Sequence, residues 1–312
     1  MPKQLPPLRV NGDRLVKIAV QAGIAPAYSY APFDVDVDGR AFALPATGGI
    51  TLNVVVGDSV FGWAGDHIEP GVSLLLNEKE RTGKANAGLN FLACCGNVAT
   101  LVSGEAQGAK GRVLGHHGGV HHVIVDFPIE VMERMTLDDK VLIHAFGQGM
   151  TLLDHPEVHA MNMDPELLAA WPIRVAADGA LEVPVTTLVP GHAMGSGIGS
   201  AAVHYGDYDI LTHDPDTVSE YQLNQIRFGD LVAILDHDNR YGRTYRKGAV
   251  SVGVVVHSDC KLAGHGPGVA TLLTALGGKI RPVLDPGANV GRYLGMGRFR
   301  EGSSQKKKGK RV

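Results

Sequence analysis

The sequence contains 14 histidines, and several of them stand beside carboxylates in glycine-rich segments. Residues 65–71 (GDHIEPG) place Asp66 and Glu69 around His67. Such a set can bind a divalent ion, or it can pair a base with the acid that orients it. The same residues can instead form a turn in which Asp66 accepts backbone hydrogen bonds. Asp66 and His67 are therefore candidate metal ligands.

A second acidic segment follows an apolar run directly. Along an extended chain, Asp236 and Asp238 lie on one side and His237 on the other. Two carboxylates on one face favour a cation, a shared proton or a basic partner such as Arg240 or Arg243. We take Asp236 and His237 as candidate metal ligands and Asp238 as a candidate catalytic residue. A solvated β-turn is the alternative interpretation.

A third segment combines histidine with a glycine-rich loop. The apolar run 252–256 predicts a strand that ends at His257, and a helix is predicted over 269–276. Glycines in the intervening loop let the backbone approach a ligand, and the N–H groups of the helix N-terminus suit a carboxylate or a developing oxyanion. The candidates are His257 and His265 as catalytic residues, and Gly264, Gly266 and Gly268 as substrate-binding residues.

Two further histidine-containing segments are less specific. Residues 116–122 (HHGGVHH) can supply two imidazoles to one ion, although hairpin flanks often carry histidines in a purely structural role. Residues 191–199 contain G-x-G outside the βαβ setting of a dinucleotide site, which favours a flexible loop over a substrate. His192 and Ser196 of this loop are substrate-binding candidates.

The elements that must position these residues are mostly strands. Turn residues followed by apolar residues predict strands at 57–61, 138–143 and 229–234. Further strands are predicted at 50–56, 99–102, 112–114, 122–127, 173–175, 181–189 and 249–256. Helices are predicted at 164–170, 216–227 and 269–276. The pattern indicates a mainly β protein built of small β-barrels, with a few short peripheral helices.

The predicted organisation has three parts. An N-terminal β domain spans 1–135, a C-terminal β domain with short helices spans 136–301, and a disordered basic tail spans 302–312. Within the first domain, residues 102–125 alternate strands and glycine turns and resemble the KOW-type motif of SH3-like barrels.

Charge and hydropathy exclude several classes of function. The chain has 29 basic and 32 acidic residues, and five of the basic ones lie in the tail, so the body carries 24 against 32, a net charge of −8. An acidic body argues against a surface that neutralises phosphates. The sequence shows neither a membrane-spanning apolar run nor a signal-peptide pattern. A cytoplasmic protein with reduced cysteines and no membrane contact is expected.

The chain resembles the family called domain of unknown function 4438 from residue 10 to about residue 290. The segments that carry the resemblance are 62–67, 147–149, 153–156, 194–199, 236–239, 245–250 and 263–268. This resemblance implies a mainly β, multi-domain fold and no settled reaction. His116, His121 and the basic tail depart from the usual family pattern. Residues 189–195 are also similar to acetamidase and formamidase enzymes, which implies metal-dependent hydrolysis of simple amides.

Together, these features predict a metal-dependent hydrolase that cleaves an amide or related C–N bond in a polar small molecule. A divalent ion, expected to be zinc, would lower the pKa of water toward ~7. A homo-oligomer is also expected. The alternative is a non-catalytic RNA-associated protein that uses the small barrel and the basic tail, for which counterion release predicts steep salt dependence.

Overall fold

The computed structural model describes residues 8–29, 32–76, 79 and 81–301. The fold is mainly β with a few short helices, as predicted. The tail predicted from residue 302 lies outside the described residues. Within the described part of the chain, no helix is both long enough and apolar enough to cross a membrane.

The strands and helices are short and follow one another irregularly along the chain. In chain order, the strands are β1 (Ile18–Ile24), β2 (Asp34–Val35), β3 (Ala41–Phe42), β4 (Ile50–Thr51), β5 (Gly71–Leu75), β6 (Val98–Leu101), β7 (Lys110–His117), β8 (His122–Asp126), β9 (Lys140–Ala145), β10 (Val158–Ala160), β11 (Arg174–Val175), β12 (Leu181–Val185), β13 (Thr187–Val189), β14 (Tyr208–Asp209), β15 (Leu231–Asp238), β16 (Thr244–Val255), β17 (Gly268–Ala275) and β18 (Ile280–Leu284). The helices are α1 (Lys84–Leu92), α2 (Ile129–Met132), α3 (Pro165–Ala170), α4 (Pro215–Glu220) and α5 (Val290–Leu294).

The N-terminal part of the chain forms a closed barrel of six antiparallel strands. The order is β1-β9-β6-β7-β8-β5, and β5 pairs back with β1 while β4 extends from β5. The barrel interior is filled by apolar side chains, including Val72, Leu74, Phe127 and Ile143. Strands β6, β7 and β8 account for the strand-and-turn segment predicted over 102–125. The barrel includes β9 and so continues past residue 135, the expected domain boundary.

A second sheet packs against the barrel. Its order is β10-β17-β16-β15-β13, with β14 paired to β17. Leu114 and Ile124 of the barrel share one core with Val254 and Ala270 of the second sheet. At Gly115 an added Cβ would lie 2.6 Å from the Val256 side chain, so glycine permits this close approach. A smaller sheet, β11-β12-β18, adjoins the same core.

Two predicted elements are wrong, and the strand predicted over 50–56 is only the two-residue strand β4. The helix predicted over 269–276 is strand β17, which is buried along its whole length between β16 and its neighbours β10 and β14. An apolar run buried on both faces has no period that separates strand from helix. The strand predicted over 57–61 is a turn, in which Asp58 accepts a hydrogen bond from the backbone N–H of Val55 at 3.1 Å and pairs with Arg298.

Other predicted elements are confirmed where local chemistry determines them. Helix α3 begins after Asp164, whose side chain accepts the backbone N–H of Glu166 at 2.8 Å, and Pro165 occupies its first turn. Strands β9 and β15 follow the aspartate turns at 138–139 and 229–230. The predicted helix over 216–227 is shorter, with α4 followed by a 3-10 turn at Leu223–Gln225. Helix α1 was not among the predicted helices.

Candidate metal centre

Six histidine and aspartate side chains meet where the barrel packs against the second sheet. His67 lies in the loop before β5, and His117 ends β7. Asp207 and Asp209 flank Tyr208 at β14, while His257 follows β16 and His265 precedes β17. We call this set the His–Asp cluster: His67, His117, Asp207, Asp209, His257 and His265.

The innermost part of the cluster, which we call the deep triad, consists of His117, Asp207 and His257. Their ligand atoms all lie within 4.8 Å of one another, and all three residues are buried. Nε2 of His257 is 2.8 Å from Oδ2 of Asp207. The two atoms are not aligned for a hydrogen bond, and neither has another hydrogen-bond partner among the described residues. The imidazoles of His117 and His257 stack with their centroids 4.1 Å apart.

The remaining three residues form a second group nearer the surface, which we call the outer group. Nε2 of His67 is 3.2 Å from Nδ1 of His265, which lies 2.9 Å from Oδ2 of Asp209. The third side of this triangle, from His67 Nε2 to Asp209 Oδ2, measures 3.9 Å. The other carboxylate oxygen of Asp209 lies 3.6 Å from His257 Nε2, so Asp209 connects the two groups.

In three of the four histidines of the cluster, the ring nitrogen Nδ1 contacts an acceptor that fixes the orientation of the imidazole. Nδ1 of His67 lies 2.7 Å from Asp66, Nδ1 of His117 lies 2.6 Å from Glu69, and Nδ1 of His257 lies 2.9 Å from the Ser258 carbonyl oxygen. An acceptor at Nδ1 keeps the proton there and leaves Nε2 as the ring nitrogen that carries the lone pair. Histidines that bind metals in proteins are commonly oriented by such carboxylates and carbonyls.

Glu69 links two buried histidines behind the cluster. Besides His117, its carboxylate contacts Nδ1 of His122 at 3.0 Å, the Gly48 N–H at 2.9 Å and the Ser73 hydroxyl. Burial by itself raises the pKa of a carboxyl group, but His122 and His117 hold the pKa of Glu69 well below its usual value. Glu69 is therefore a charged acceptor that orients the deep triad.

The buried side chains of the deep triad shift one another's pKa values. Burial opposes the charged form of Asp207, yet His257 and His117 hold the pKa of Asp207 below its usual value. Burial likewise lowers the pKa of His257, but Asp207 and Asp209 raise it well above the ordinary value. Burial, and then His257, lower the pKa of His117, which favours the neutral imidazole that can bind an ion.

The spacing and chemistry of these atoms fit a divalent ion. Nitrogen and oxygen ligands bind zinc at about 2.0–2.2 Å, so neighbouring ligand atoms around one ion are roughly 3–3.5 Å apart. The separations given above, 2.8 and 3.6 Å in and beside the deep triad, bracket that spacing. Neutral imidazoles with aspartate are the usual protein ligands of zinc. The donors present therefore fit zinc.

A cavity of about 480 Å³ opens beside the cluster. Its wall includes every member of the cluster except His257, together with hydroxyl groups and two arginines. The polar side chains at its wall, apart from the cluster, are Tyr28, Ser29, Thr47, Arg81, His121, Ser196, Ser200, Tyr205 and Arg243. A cavity of this size suits a small molecule.

Several residues singled out in the sequence lie in or beside the cluster. His67, His257 and His265 belong to it, while Asp66 stands behind His67. The neighbouring Cys260 donates its thiol hydrogen bond to Asp66 at 3.2 Å, and burial raises the pKa of this thiol. Ser196 lines the cavity, and its backbone N–H donates to the Gly264 carbonyl oxygen at 2.7 Å.

The glycine loop has a different role from the predicted one. Because 269–276 is a strand, no helix N-terminus points at the cavity from this segment. The Gly266 N–H donates to Asp209 Oδ2 at 3.3 Å, so it supports a cluster residue. A Cβ at Gly268 would overlap Oδ2 of Asp207 and Nε2 of His257. Of the three predicted glycines, Gly268 is the one that makes room for the cluster, whereas nothing lies within 4 Å of a Cβ added at Gly264.

Other predicted site residues lie outside the cluster. Asp238 forms ion pairs with Arg240 and Arg246, and Asp236 accepts the backbone N–H of Gly248 at 2.6 Å. Nε2 of His237 lies 3.2 Å from the Gly191 carbonyl oxygen. A bulge between Leu235 and His237, with Asp236 at a φ of 56°, breaks the strand alternation on which their assignment rested. His192 is exposed and lies beside Tyr221.

Two cluster residues had no place in the sequence-based assignment. Asp207 and Asp209 alternate with the buried Tyr208, so both carboxylates face the cluster from one side of an extended segment. The pattern G-D-x-D at 206–209 was the available signal. His117 belongs to the segment 116–122, in which the sequence does not distinguish it from the other three histidines. His116 contacts the Ala93 carbonyl oxygen instead, a structural role.

Comparison with known proteins identifies the family. Models of the domain of unknown function DUF4438 match its N-terminal part at residues 33–169 and its C-terminal part at residues 170–294. The chain belongs to this family. Within DUF4438, these two parts meet at 169/170, whereas the sequence analysis placed a boundary near 135.

A solved structure gives the same architecture. The crystal structure described as "Crystal structure of TM1086" is similar over 93% of this chain and 100% of that chain, with a TM-score of 0.87 and 48% sequence identity. No curated protein matches the chain. The comparisons do not show the likeness to acetamidase and formamidase enzymes, and neither description names a reaction.

Proposed function

We propose that this DUF4438 protein is a metal-dependent hydrolase that cleaves an amide or related C–N bond in a polar small molecule. One observation carries the proposal: Nε2 of His257 and Oδ2 of Asp207 are buried, 2.8 Å apart and not aligned for a hydrogen bond. A buried polar atom without a partner costs roughly 1–3 kcal/mol. A cation held by the deep triad satisfies both atoms, and zinc is the ion proposed.

The chain supplies the positioning of the ion that hydrolysis needs. A divalent ion at the deep triad would act as a Lewis acid and provide a water nucleophile near neutral pH. Glu69 and the Ser258 carbonyl fix His117 and His257 so that each presents Nε2. Asp207 would complete the ligand set of this ion, and the proton released by the attacking water would pass to the departing nitrogen when the C–N bond breaks.

The cavity determines which substrates fit. Its volume of about 480 Å³ suits a small molecule, and its hydroxyl groups and arginines suit a polar one. Amide oxygen accepts hydrogen bonds from Ser, Thr, Tyr and Arg side chains, all of which occur in the wall. A panel of small amides and lactams is therefore the appropriate first screen.

The decisive experiment measures metal content and turnover together. Purified protein is expected to contain zinc and to hydrolyse a member of the panel, to lose both on treatment with a chelator, and to regain both when zinc is added. His257→Ala removes a ligand of the deep triad and should lower metal affinity and turnover by a factor on the order of 100. His144→Ala is the matched control, because His144 is exposed on β9. Protein that neither contains nor binds a metal would refute the proposal.

Two further expectations remain proposals. The RNA-associated alternative depends on the basic tail, which lies outside the described residues, and an RNA-binding assay with and without residues 302–312 tests it. The expected homo-oligomer is tested by light scattering of the full chain.

A further inference from the structure

The outer group presents three ligand atoms to one point. His67 Nε2, His265 Nδ1 and Asp209 Oδ2 form a triangle with sides of 3.2, 2.9 and 3.9 Å. Because Nδ1 of His67 keeps its proton for Asp66, His67 contributes a lone pair at Nε2. Nδ1 of His265 therefore lies within hydrogen-bond distance of two acceptor atoms, Nε2 of His67 and Oδ2 of Asp209. This is the arrangement of three ligands on one side of a metal ion.

Asp209 reaches both groups through different oxygens. Its Oδ1 lies 3.6 Å from His257 of the deep triad, and its Oδ2 lies 2.9 Å from His265 of the outer group. A carboxylate in this position can bridge two cations. In enzymes with two metal ions, the ions are about 3.5–4 Å apart, a separation that one bridging carboxylate spans.

The charge in this region also calls for more than one divalent ion. Asp66, Glu69, Asp207 and Asp209 are all buried. Arg243 is the buried guanidinium beside them, among the residues that the structure describes. Buried charges require compensation, and Arg243 with one divalent ion supplies less positive charge than the four carboxylates carry. A second divalent ion would remove this deficit.

We infer that the His–Asp cluster is a two-metal site, in which the deep triad holds one ion, His67 and His265 hold a second, and Asp209 bridges them. This inference rests on the proposed function, which needs only the ion at the deep triad. Cys260 lies close to the outer group but already donates to Asp66 and accepts the Leu262 N–H at 3.2 Å, so we leave it out of the ligand set.

The test counts ions and detects whether they are close together. Full-length protein is stripped with a chelator and dialysed against Mn²⁺, and bound manganese is measured by mass spectrometry. Wild-type protein should bind two ions per chain and give the electron paramagnetic resonance spectrum of a coupled pair. His265→Ala should bind one ion and give the spectrum of isolated Mn²⁺. The control variant His144→Ala should behave as wild type.

The outcomes separate this inference from the proposed function. One ion per wild-type chain, unchanged in His265→Ala, would overturn the two-metal site and leave the hydrolase proposal standing. No bound ion would overturn both. Circular dichroism checks that His265→Ala folds, which is expected because its side chain is 34% exposed. If that variant does not fold, the wild-type count and the coupled spectrum still decide the question.

Discussion

Gly268 lies directly against two members of the deep triad, Asp207 and His257. Any side chain at this position would overlap the ligand atoms of Asp207 and His257. Asp209 pairs with Gly268 across strands β14 and β17, so the absence of a side chain lets β14 lie against the cluster. The glycine is needed for the geometry of the site, because it leaves the deep triad room to close.

Gly268→Ala is expected to disturb metal binding more than folding. The added methyl group pushes apart the two atoms of the deep triad, so zinc affinity should fall on the order of 10–100-fold, with a cost of about 1–3 kcal/mol in the free energy of unfolding. Zinc titration of stripped protein and urea denaturation measure the two effects. Gly88→Ala in α1 is the control, because nothing lies within 4 Å of its added Cβ. Wild-type zinc affinity in Gly268→Ala would contradict the assigned site.

Glu69 offers a test of orientation without removal of a ligand. Glu69→Gln keeps the shape of the side chain but removes the charge that His117 and His122 contact. Loss of such a supporting carboxylate typically lowers metal affinity 10–100-fold, and we expect a decrease on the order of 10-fold here. Zinc titration measures it, with the exposed Glu130→Gln on α2 as the control. Equal zinc affinities in both variants would show that Glu69 does not support the site.

Elements whose formation depends on local chemistry were predictable from the sequence. The cap at Asp164 and the turn at 138–139 specify α3 and β9 within a few residues of chain. Strand β17 was not predictable in this way, because an apolar run buried on both faces carries no periodicity. Strand β17 is buried because it pairs with strands that are distant in the chain, and the sequence does not specify this pairing. The sequence analysis therefore predicts a helix over the same residues.

The candidate site was predictable only in part, for the same physical reason. His67, His257 and His265 lie next to turns and strand ends that the sequence indicates, so they could be predicted as site residues. Asp207 and Asp209 become neighbours of these histidines through the pairing of β14 with β17, which the sequence does not specify. Asp238 appeared equally suitable as a site residue, but it is paired with arginines that follow it closely in the chain.

The end of the β15–β16 hairpin provides a prediction about stability and pH. The hydrogen bonds from Arg240, with a contribution from Arg246, lower the pKa of Asp238 in the folded chain. A lowered folded pKa means that the carboxylate stabilises the fold above the unfolded value of about 3.9, and that this stabilisation is lost as pH falls through the folded pKa.

Asp238→Asn should therefore destabilise the protein at pH 7 by roughly 1 kcal/mol, as for a partly exposed ion pair. The difference from wild type should shrink as pH falls below about 4, because the unfolded chain then binds a proton that the folded carboxylate takes up only at a lower pH. Urea denaturation at several pH values measures the difference. Asp138→Asn, at an exposed turn, is the control. A deficit that stays constant from pH 7 to pH 3 would show that the carboxylate charge is not responsible.

The site joins the two main parts of the fold. His67, Glu69 and His117 come from the barrel and its loops, whereas Asp207, Asp209, His257 and His265 come from the second sheet and its loops. An ion bound there, as proposed, would contact both parts at once and favour their packed arrangement. Binding to the folded state alone adds about 2.7 kcal/mol of stability when the free ion exceeds its Kd 100-fold.

This arrangement predicts that ligands from the two parts act as one unit. Zinc should raise the melting temperature of stripped wild-type protein, and His117→Ala or His257→Ala should each reduce that rise, because each breaks the deep triad. The double variant should show no smaller rise than either single variant, since residues that share one ion are not additive. Thermal denaturation with and without zinc gives the four values, and His144→Ala should keep the wild-type rise. If the two reductions in the melting-temperature rise add in the double variant, the two histidines bind separate ions. The deep triad would then not be a single ligand set.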